Sequence, residues 1–343
     1  MTKRRVTVYD VAKAARVSTS TVSRALDDSE LVGEETRRLI KATALELGFE
    51  RRLIRRPESR TIMTIRLYIP ESRDVYVHLF YDVAQLIDGI QRGFGDVRVN
   101  IITCLNDGSD GAFNAKKTGV VDGVIFAFTE ADPALYERYS KRDVPVIHIN
   151  RVHPEWNYVA VDNYLGMETL LRRVVEGRGT EKPCFIGFSP VAYISRERRA
   201  GLLGATSKLS IPLGSEDCFE FTDIPRIDGN FIRSIVDRGY DSVFCFNDLI
   251  AVHIYNRALR EGMQIPRDFA LTGFDNSPVL DLAPRRIDTV EFSIQELGLR
   301  TGAWLKARLV DRSDDDIRMT LAGDYIRGET ISENSAGHQR GQL

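Results

Sequence analysis

Ser18, Thr19, Ser20, Thr21, Ser23 and Arg24 crowd hydroxyls and a guanidinium into one short stretch. A hydroxyl donates or accepts at short reach and a guanidinium bonds two acceptors at once, which is the chemistry that reads base edges in a DNA groove. The flanking pattern supplies the elements to carry these groups. Val8, Val11, Ala12 and Ala15 recur at helical spacing behind Thr7, whose side chain can cap a helix, with Asp10 favourable at the positive end of the dipole. Ser18 can cap a second helix that buries Val22, Ala25 and Leu26 and leaves Thr19, Ser20, Ser23 and Arg24 outside. Two short helices joined by a tight turn form a helix-turn-helix, and the hydroxyl content fits recognition better than a piece of an ordinary bundle. A third helix from about Glu34 to Leu47, ended by Gly48, would close the core through Thr36, Leu39, Ile40, Ala44 and Leu47.

Charge divides the chain in the same way. The 343 residues carry 47 Lys and Arg against 49 Asp and Glu, yet the first sixty or so are net basic and the remainder net acidic. The basic end suits phosphates and the acidic body does not. The length suits a small head plus a two-lobed body. Cys104, Cys184, Cys218 and Cys245 are widely spaced in apolar runs without a C-x-x-C, and read as reduced buried thiols of a cytoplasmic protein. The chain has no apolar run near 18 residues and no signal peptide, so neither membrane insertion nor secretion is expected.

Catalytic patterns are missing. His78, His148, His153, His253 and His338 lack metal-ligand spacing, and there is no P-loop or G-x-S-x-G, while Gly93-Phe94-Gly95 is only a fragment of a dinucleotide fingerprint. No enzyme activity, cofactor or metal is expected. From about Thr61, β-branched and aromatic runs alternate with amphipathic stretches. Strands are expected at Met63–Ile69, Val99–Thr103, Gly123–Phe128, Val144–Ile149, Cys184–Phe188, Asp217–Phe221, Ser242–Phe246, Phe269–Gly273 and Asp288–Phe292. Helices at Val83–Phe94, Gly166–Glu176, Arg196–Leu209, Asn230–Arg238, Leu249–Glu261 and Ile294–Leu309 complete βα units, hence parallel sheets.

The run Thr7, Val8, Asp10, Val11, Ala12, Ala15, Val17, Ser18, Thr21, Val22, Ser23 and Arg24 resembles the hallmark of the LacI/GalR family of bacterial transcription regulators. Arg16 departs from it, standing where the family has glycine; if that position takes a positive φ, arginine costs on the order of 1 kcal/mol. The resemblance implies a small all-α helix-turn-helix head and an α/β two-lobed, periplasmic-binding-protein-like body of parallel sheets. It also implies a homodimer on operator DNA, with Thr19, Ser20 and Arg24 as base readers and Thr7, Tyr9, Ser18, Thr21 and Ser23 as further contacts. Its domains would be a head at 1–50, a hinge at 51–61, one lobe from 62–161 and 293–321, another from 162–292 and 322–331, and a disordered tail at 332–343. The polar tail lacks heptads, so a dimer suffices.

In the family the hinge folds on DNA and wedges a leucine into the minor groove. Here Pro57 and Glu58 stand at the wedge, so the expectation is an electrostatic clamp by Arg51, Arg52, Arg55 and Arg56, with Leu53 or Ile54 as substitute wedge; a plain basic linker is the alternative. The fold implies a ligand at the carboxyl ends of the strands, between the lobes. Aligned with family contacts are Asp162, Arg198, Asn247 and Asp275, a set that bonds vicinal hydroxyls or a polar ring. Each also fits a helix cap or a solvated loop. Phe221, Phe246 and Tyr76 fit either a stacking surface or the core. Asn150 and Arg151 match the family's segment after Pro145, with Asn150 in place of the usual aspartate, and rank second. Phe80, Tyr81 and Asp82 replace the family's Asn-Pro-aromatic run, putting Tyr81 and Asp82 on the pocket wall. The function so implied is a transcriptional repressor controlled by a small effector, a sugar by preference. Alternatives are a sensor of a purine or nucleoside, a sensor of a partner protein, and a ligand-independent DNA binder.

Overall fold

The computed structural model describes residues 6–26, 32–47, 49, 62–70, 82–106, 121–131 and 133–331. The hinge residues Arg51 to Glu58, together with Gly48, Tyr76, Phe80, Tyr81 and the tail after Ile331, lie outside the described residues.

The head opens with α1 (Val8–Ala15), α2 (Thr19–Leu26) and α3 (Glu34–Glu46). Thr7 and Asp10 form a reciprocal capping box: the Asp10 carboxylate accepts the Thr7 N–H at 2.8 Å, and the Thr7 hydroxyl accepts the Asp10 N–H at 3.4 Å. The Ser18 hydroxyl accepts the Thr21 N–H at 3.1 Å. Val11, Ala12, Ala15, Val22, Ala25, Val32, Ile40 and Ala44 form the buried core. Other expected core residues differ, Thr36 being half-buried. Leu39 and Leu47 are 54% and 38% exposed, and Leu26 is half-buried. Ile40 and Ala44, one turn apart, already take the inward face of α3, and Phe49 folds back against the core with its N–H on the Ala44 carbonyl.

Beyond the head come β1 (Ile62–Pro70), α4 (Val83–Phe94), β2 (Arg98–Asn106), β3 (Gly123–Ala127), α5 (Pro133–Ser140), β4 (Val146–Ile149) and β5 (Tyr158–Val161). There follow α6 (Asn163–Gly177), β6 (Pro183–Phe188), α7 (Ala192–Lys208), β7 (Cys218–Phe221), α8 (Gly229–Asp237), β8 (Ser242–Cys245), α9 (Asp248–Arg260) and β9 (Ala270–Thr272). The chain ends through β10 (Thr289–Glu291), α10 (Ile294–Leu309), β11 (Arg318–Leu321) and β12 (Asp324–Ile326). Two compact units emerge, the first from described residues within 1–71, 84–159 and 298–318, the second from those within 72–83, 160–297 and 319–331.

A six-stranded sheet has the order β11-β5-β4-β3-β1-β2, with β2, β1, β3, β4 and β5 mutually parallel. Its register brings Tyr68, Phe126 and His148 side by side, and their rings stack at 4.7 and 5.4 Å, with Trp156 4.5 Å beyond His148. The fully buried His148 ring has no hydrogen-bond partner on either nitrogen, and burial pushes its pKa down to about 4.

The second unit holds a parallel sheet of order β7-β6-β8-β9, and every strand of it is followed or closed by a phenylalanine: Phe221, Phe188, Phe246 and Phe274. The expected strand at Asp288–Phe292 does not join it as a regular member. β10 pairs antiparallel with β12, and the segment meets the end of the parallel sheet at two isolated parallel bridges, Thr272 to Asp288 and Asp275 to Glu291. The buried Asp288 carboxylate accepts the N–H groups of Gly328, Thr330 and Ile331, which fastens the returning chain beside β10. Of the cysteines, Cys184 and Cys245 are buried as expected; Cys104 and Cys218 are half-buried, because β2 and β7 stand at sheet edges.

Candidate functional site

On the head, the candidate DNA contacts are presented by capping and helix phase. Tyr9 is 73% exposed, and Thr7, Ser18, Ser20 and Arg24 are exposed; Thr19, Thr21 and Ser23 are half-buried. The Ser18 hydroxyl lies 2.7 Å from those of Ser20 and Thr21, a chain of donors at the front of α2. The turn between the helices is made by Arg16 at φ 53°, ψ 41°, in the left-handed region, so the arginine does occupy a glycine-favouring conformation.

In the second unit the candidate ligand contacts converge on Arg198, which α7 carries inward until it is 2% exposed. Its Nε donates to the Asn163 side-chain oxygen at 3.0 Å, its Nη1 to the Phe246 carbonyl, and its Nη2 to the Asp275 carboxylate at 2.7 Å. The guanidinium also lies 3.8 Å from the centroid of the Phe274 ring and 5.0 Å from that of Phe246. Gly166 on α6 makes this possible, since a Cβ there would sit 2.5 Å from the Phe274 ring. Asp275 and the following Asn276 both have positive φ, 106° and 49°, which marks stored backbone strain just past the end of β9. Burial pushes the Asp275 carboxyl up to about 6 against the opposing pull of Arg198.

The other expected contacts take different places. Asn247 is buried and caps α9, its side-chain oxygen accepting the Ile250 N–H at 3.1 Å; Asp162 caps α6 through the Leu165 N–H at 2.8 Å. Phe246 is buried against Arg198, and Phe221 is half-buried, edge-on to Phe231 at 4.8 Å. In the first unit Asn150 is buried at φ 57°, and Arg151 donates to the Asn150 carbonyl at 2.7 Å and to the Phe128 carbonyl, tying the ends of β3 and β4 together. Asp82 is exposed just before α4. Sequence reasoning missed Asn163 and Asp248. The pair Asn247-Asp248 was the available signal, and its second member is the wholly buried acid, raised far above the ordinary carboxylate range by burial and by the neighbouring Asp275 charge. Among the described residues no cluster of His, Cys, Asp or Glu could hold a metal, and no helix is long and apolar enough to cross a membrane.

Residues 7–51 match the family of bacterial regulatory proteins, lacI family, and residues 175–331 match a periplasmic binding protein-like domain. The head is thus a lacI-type DNA-binding domain and the body is periplasmic-binding-protein-like. Its relatives include the HTH-type transcriptional regulator pepR1 of Lactobacillus delbrueckii subsp. lactis, 24% identical over 338 residues, 96% of this chain and 99% of the relative. The NTD biosynthesis operon regulator NtdR of Bacillus subtilis (strain 168) is 28% identical over 304 residues, 85% of this chain and 89% of the relative. Among solved structures, the transcriptional regulator CelR–cellobiose complex shares the fold at a TM-score of 0.65 and 22% identity, covering 95% of this chain and all of that one. With that head and body the chain is a DNA-binding regulator of transcription and not an enzyme. Helical head and parallel α/β body both match the fold that the sequence implied.

Proposed function

We propose that this lacI-family regulator is a cytoplasmic homodimeric repressor whose operator affinity is set by a small neutral polyol, a sugar, held at the carboxyl ends of the second unit's strands. The observation that carries the reading is the Arg198–Asp275 pair at 2.7 Å, aromatic on its faces and acidic at its edge. Hydroxyls of a sugar would share Asp275 and bond Arg198, while an apolar ring face packs on phenylalanine. Three of the five Arg198 N–H donors are engaged by Asn163, Phe246 and Asp275, which leaves two for ligand hydroxyls, while Asp275 already balances the charge that a phosphate or carboxylate ligand would need. The bound cellobiose of the CelR complex supports the sugar class. In the head, Thr19, Ser20 and Arg24 would read bases, with Arg24 bidentate to a guanine.

The test is a thermal-shift screen of the purified protein against mono- and disaccharides, sugar phosphates, purines and nucleosides. A sugar that binds raises the melting temperature in step with RT ln(1 + [L]/Kd), and both Asp275→Ala and Arg198→Ala should abolish the rise. A response to purines alone overturns the sugar class, and silence across the panel overturns small-molecule control.

A further inference from the structure

Asp248, the first residue of α9, is fully buried, and its hydrogen bonds run to the turn that presents Asp275 and to Thr289 on β10. One carboxyl oxygen, Oδ2, accepts the Ser277 N–H at 2.7 Å; the other, Oδ1, accepts the Thr289 hydroxyl at 2.7 Å. Its own N–H donates to the Phe274 carbonyl at 2.9 Å. The bonds to Phe274 and Ser277 bracket residues 274 to 277, the stretch in which Asp275 and Asn276 hold positive φ. From the opposite side Asp275 donates its N–H to the Val290 carbonyl at 2.8 Å. The segment lies so close to the carboxyl that a Cβ on Gly273 would sit 2.2 Å from Asp248 Oδ1.

We propose that Asp248 is the positioning residue of the effector site: it holds the strained Phe274–Ser277 turn so that the Asp275 carboxylate meets Arg198. This rests on reading Asp275 as an effector contact. A turn with two side-chain-bearing residues in the left-handed region relaxes unless its surroundings over-determine it, and Asp248 supplies bonds at both ends of the turn. Asp248 takes no donor of Arg198: its two oxygens are engaged by Ser277 and Thr289, and the Arg198 donors by Asn163, Phe246 and Asp275. Its hydrogen bonds therefore act on the pair through the backbone of the turn, while the direct electrostatic interaction of its carboxyl with Asp275 and Arg198 is removed equally by asparagine and by alanine.

The chemistry also says which replacement should work. Asparagine can accept the Ser277 N–H with its oxygen and donate its amide to Thr289 Oγ1, since a threonine hydroxyl accepts as readily as it donates. Alanine can do neither. The experiment measures, by urea unfolding of the full chain, the coupling between Arg198→Gln and Asp275→Asn, once in the native background, once with Asp248→Asn and once with Asp248→Ala. Expected is a coupling of roughly tenfold in the unfolding constant for the first two, collapsing towards unity with Asp248→Ala. A uniform loss of stability with the coupling intact in Asp248→Ala overturns the proposal, as does an Asp248→Asn that loses the coupling as completely as alanine. Should Asp248→Ala fail to fold, Thr289→Val removes one of the two side-chain bonds and should lower the coupling several-fold; an unchanged coupling there overturns the proposal equally. The outcomes separate from those of the ligand screen: a blank panel with coupling lost removes the sugar reading and keeps the positioning role, and a sugar response with coupling unchanged does the reverse.

Discussion

Arg16 ends α1 in a conformation that costs a residue with a Cβ about 1 kcal/mol, and its backbone N–H still donates to the Ala12 carbonyl there. Glycine would make the same bond without the steric cost. Arg16→Gly should therefore stabilise the head, by up to about 1 kcal/mol less the flexibility that glycine adds to the unfolded chain, read as a higher urea midpoint at unchanged slope. No gain would mean that the arginine side chain returns an equal contribution elsewhere. At this scale the sequence was informative wherever a position demands one backbone conformation, as here, or one cap, as at Thr7 and Ser18. It said less about acids. Asp162 and Asp275 look alike as carboxylates after a strand, yet one caps a helix through the Leu165 N–H and the other meets a buried guanidinium; only the tertiary neighbour separates them.

Among the elements, β4 carries the clearest liability, because His148 sits in an aromatic stack with both ring nitrogens unpaired. Its pKa, pushed down to about 4 by burial, lies below the value of about 6.5 that it regains on unfolding, so the unfolded state binds the proton first. Stability contributed by neutral His148 is present above about pH 6.5 and is lost as pH falls towards 4, by on the order of 2–3 kcal/mol. His148→Phe keeps the stack and cannot titrate, so its melting temperature should fall less between pH 7 and pH 4.5 than that of the native protein; equal slopes would refute this assignment. Long elements were legible from their period: α4 and α10 run over Val83–Phe94 and Ile294–Leu309 as the pattern requires. Short ones were not. α5 and the strands β11 and β12 escaped, being too brief and too polar to show a period, and the antiparallel partner of β10 is fixed by Asp288 across a long sequence gap. Leu39 and Leu47 misled because α3 offers more apolar side chains than the head core can take.

For the molecule as a whole, the separation of a basic head from an acidic body predicts separable defects. Arg24→Ala should weaken binding to operator DNA, selected from a random pool by the native protein, by roughly tenfold or more, and leave any sugar-induced thermal shift in place. Asp275→Ala should do the opposite, removing the thermal shift and retaining DNA affinity in the absence of sugar. Loss of both activities in either variant would show that head and body do not act as distinct modules. The cysteines offer a way to watch such a molecule at work. Cys184 and Cys245 are sealed inside the second unit, whereas half-buried Cys104 lies in the first unit and half-buried Cys218 in the second. Burial pushes the Cys218 thiol up to about 11, so little of it is thiolate at neutral pH and its alkylation is slow. Timed maleimide chemistry can thus place a donor dye on one unit and an acceptor on the other without engineering, turning the native chain into its own fluorescence ruler.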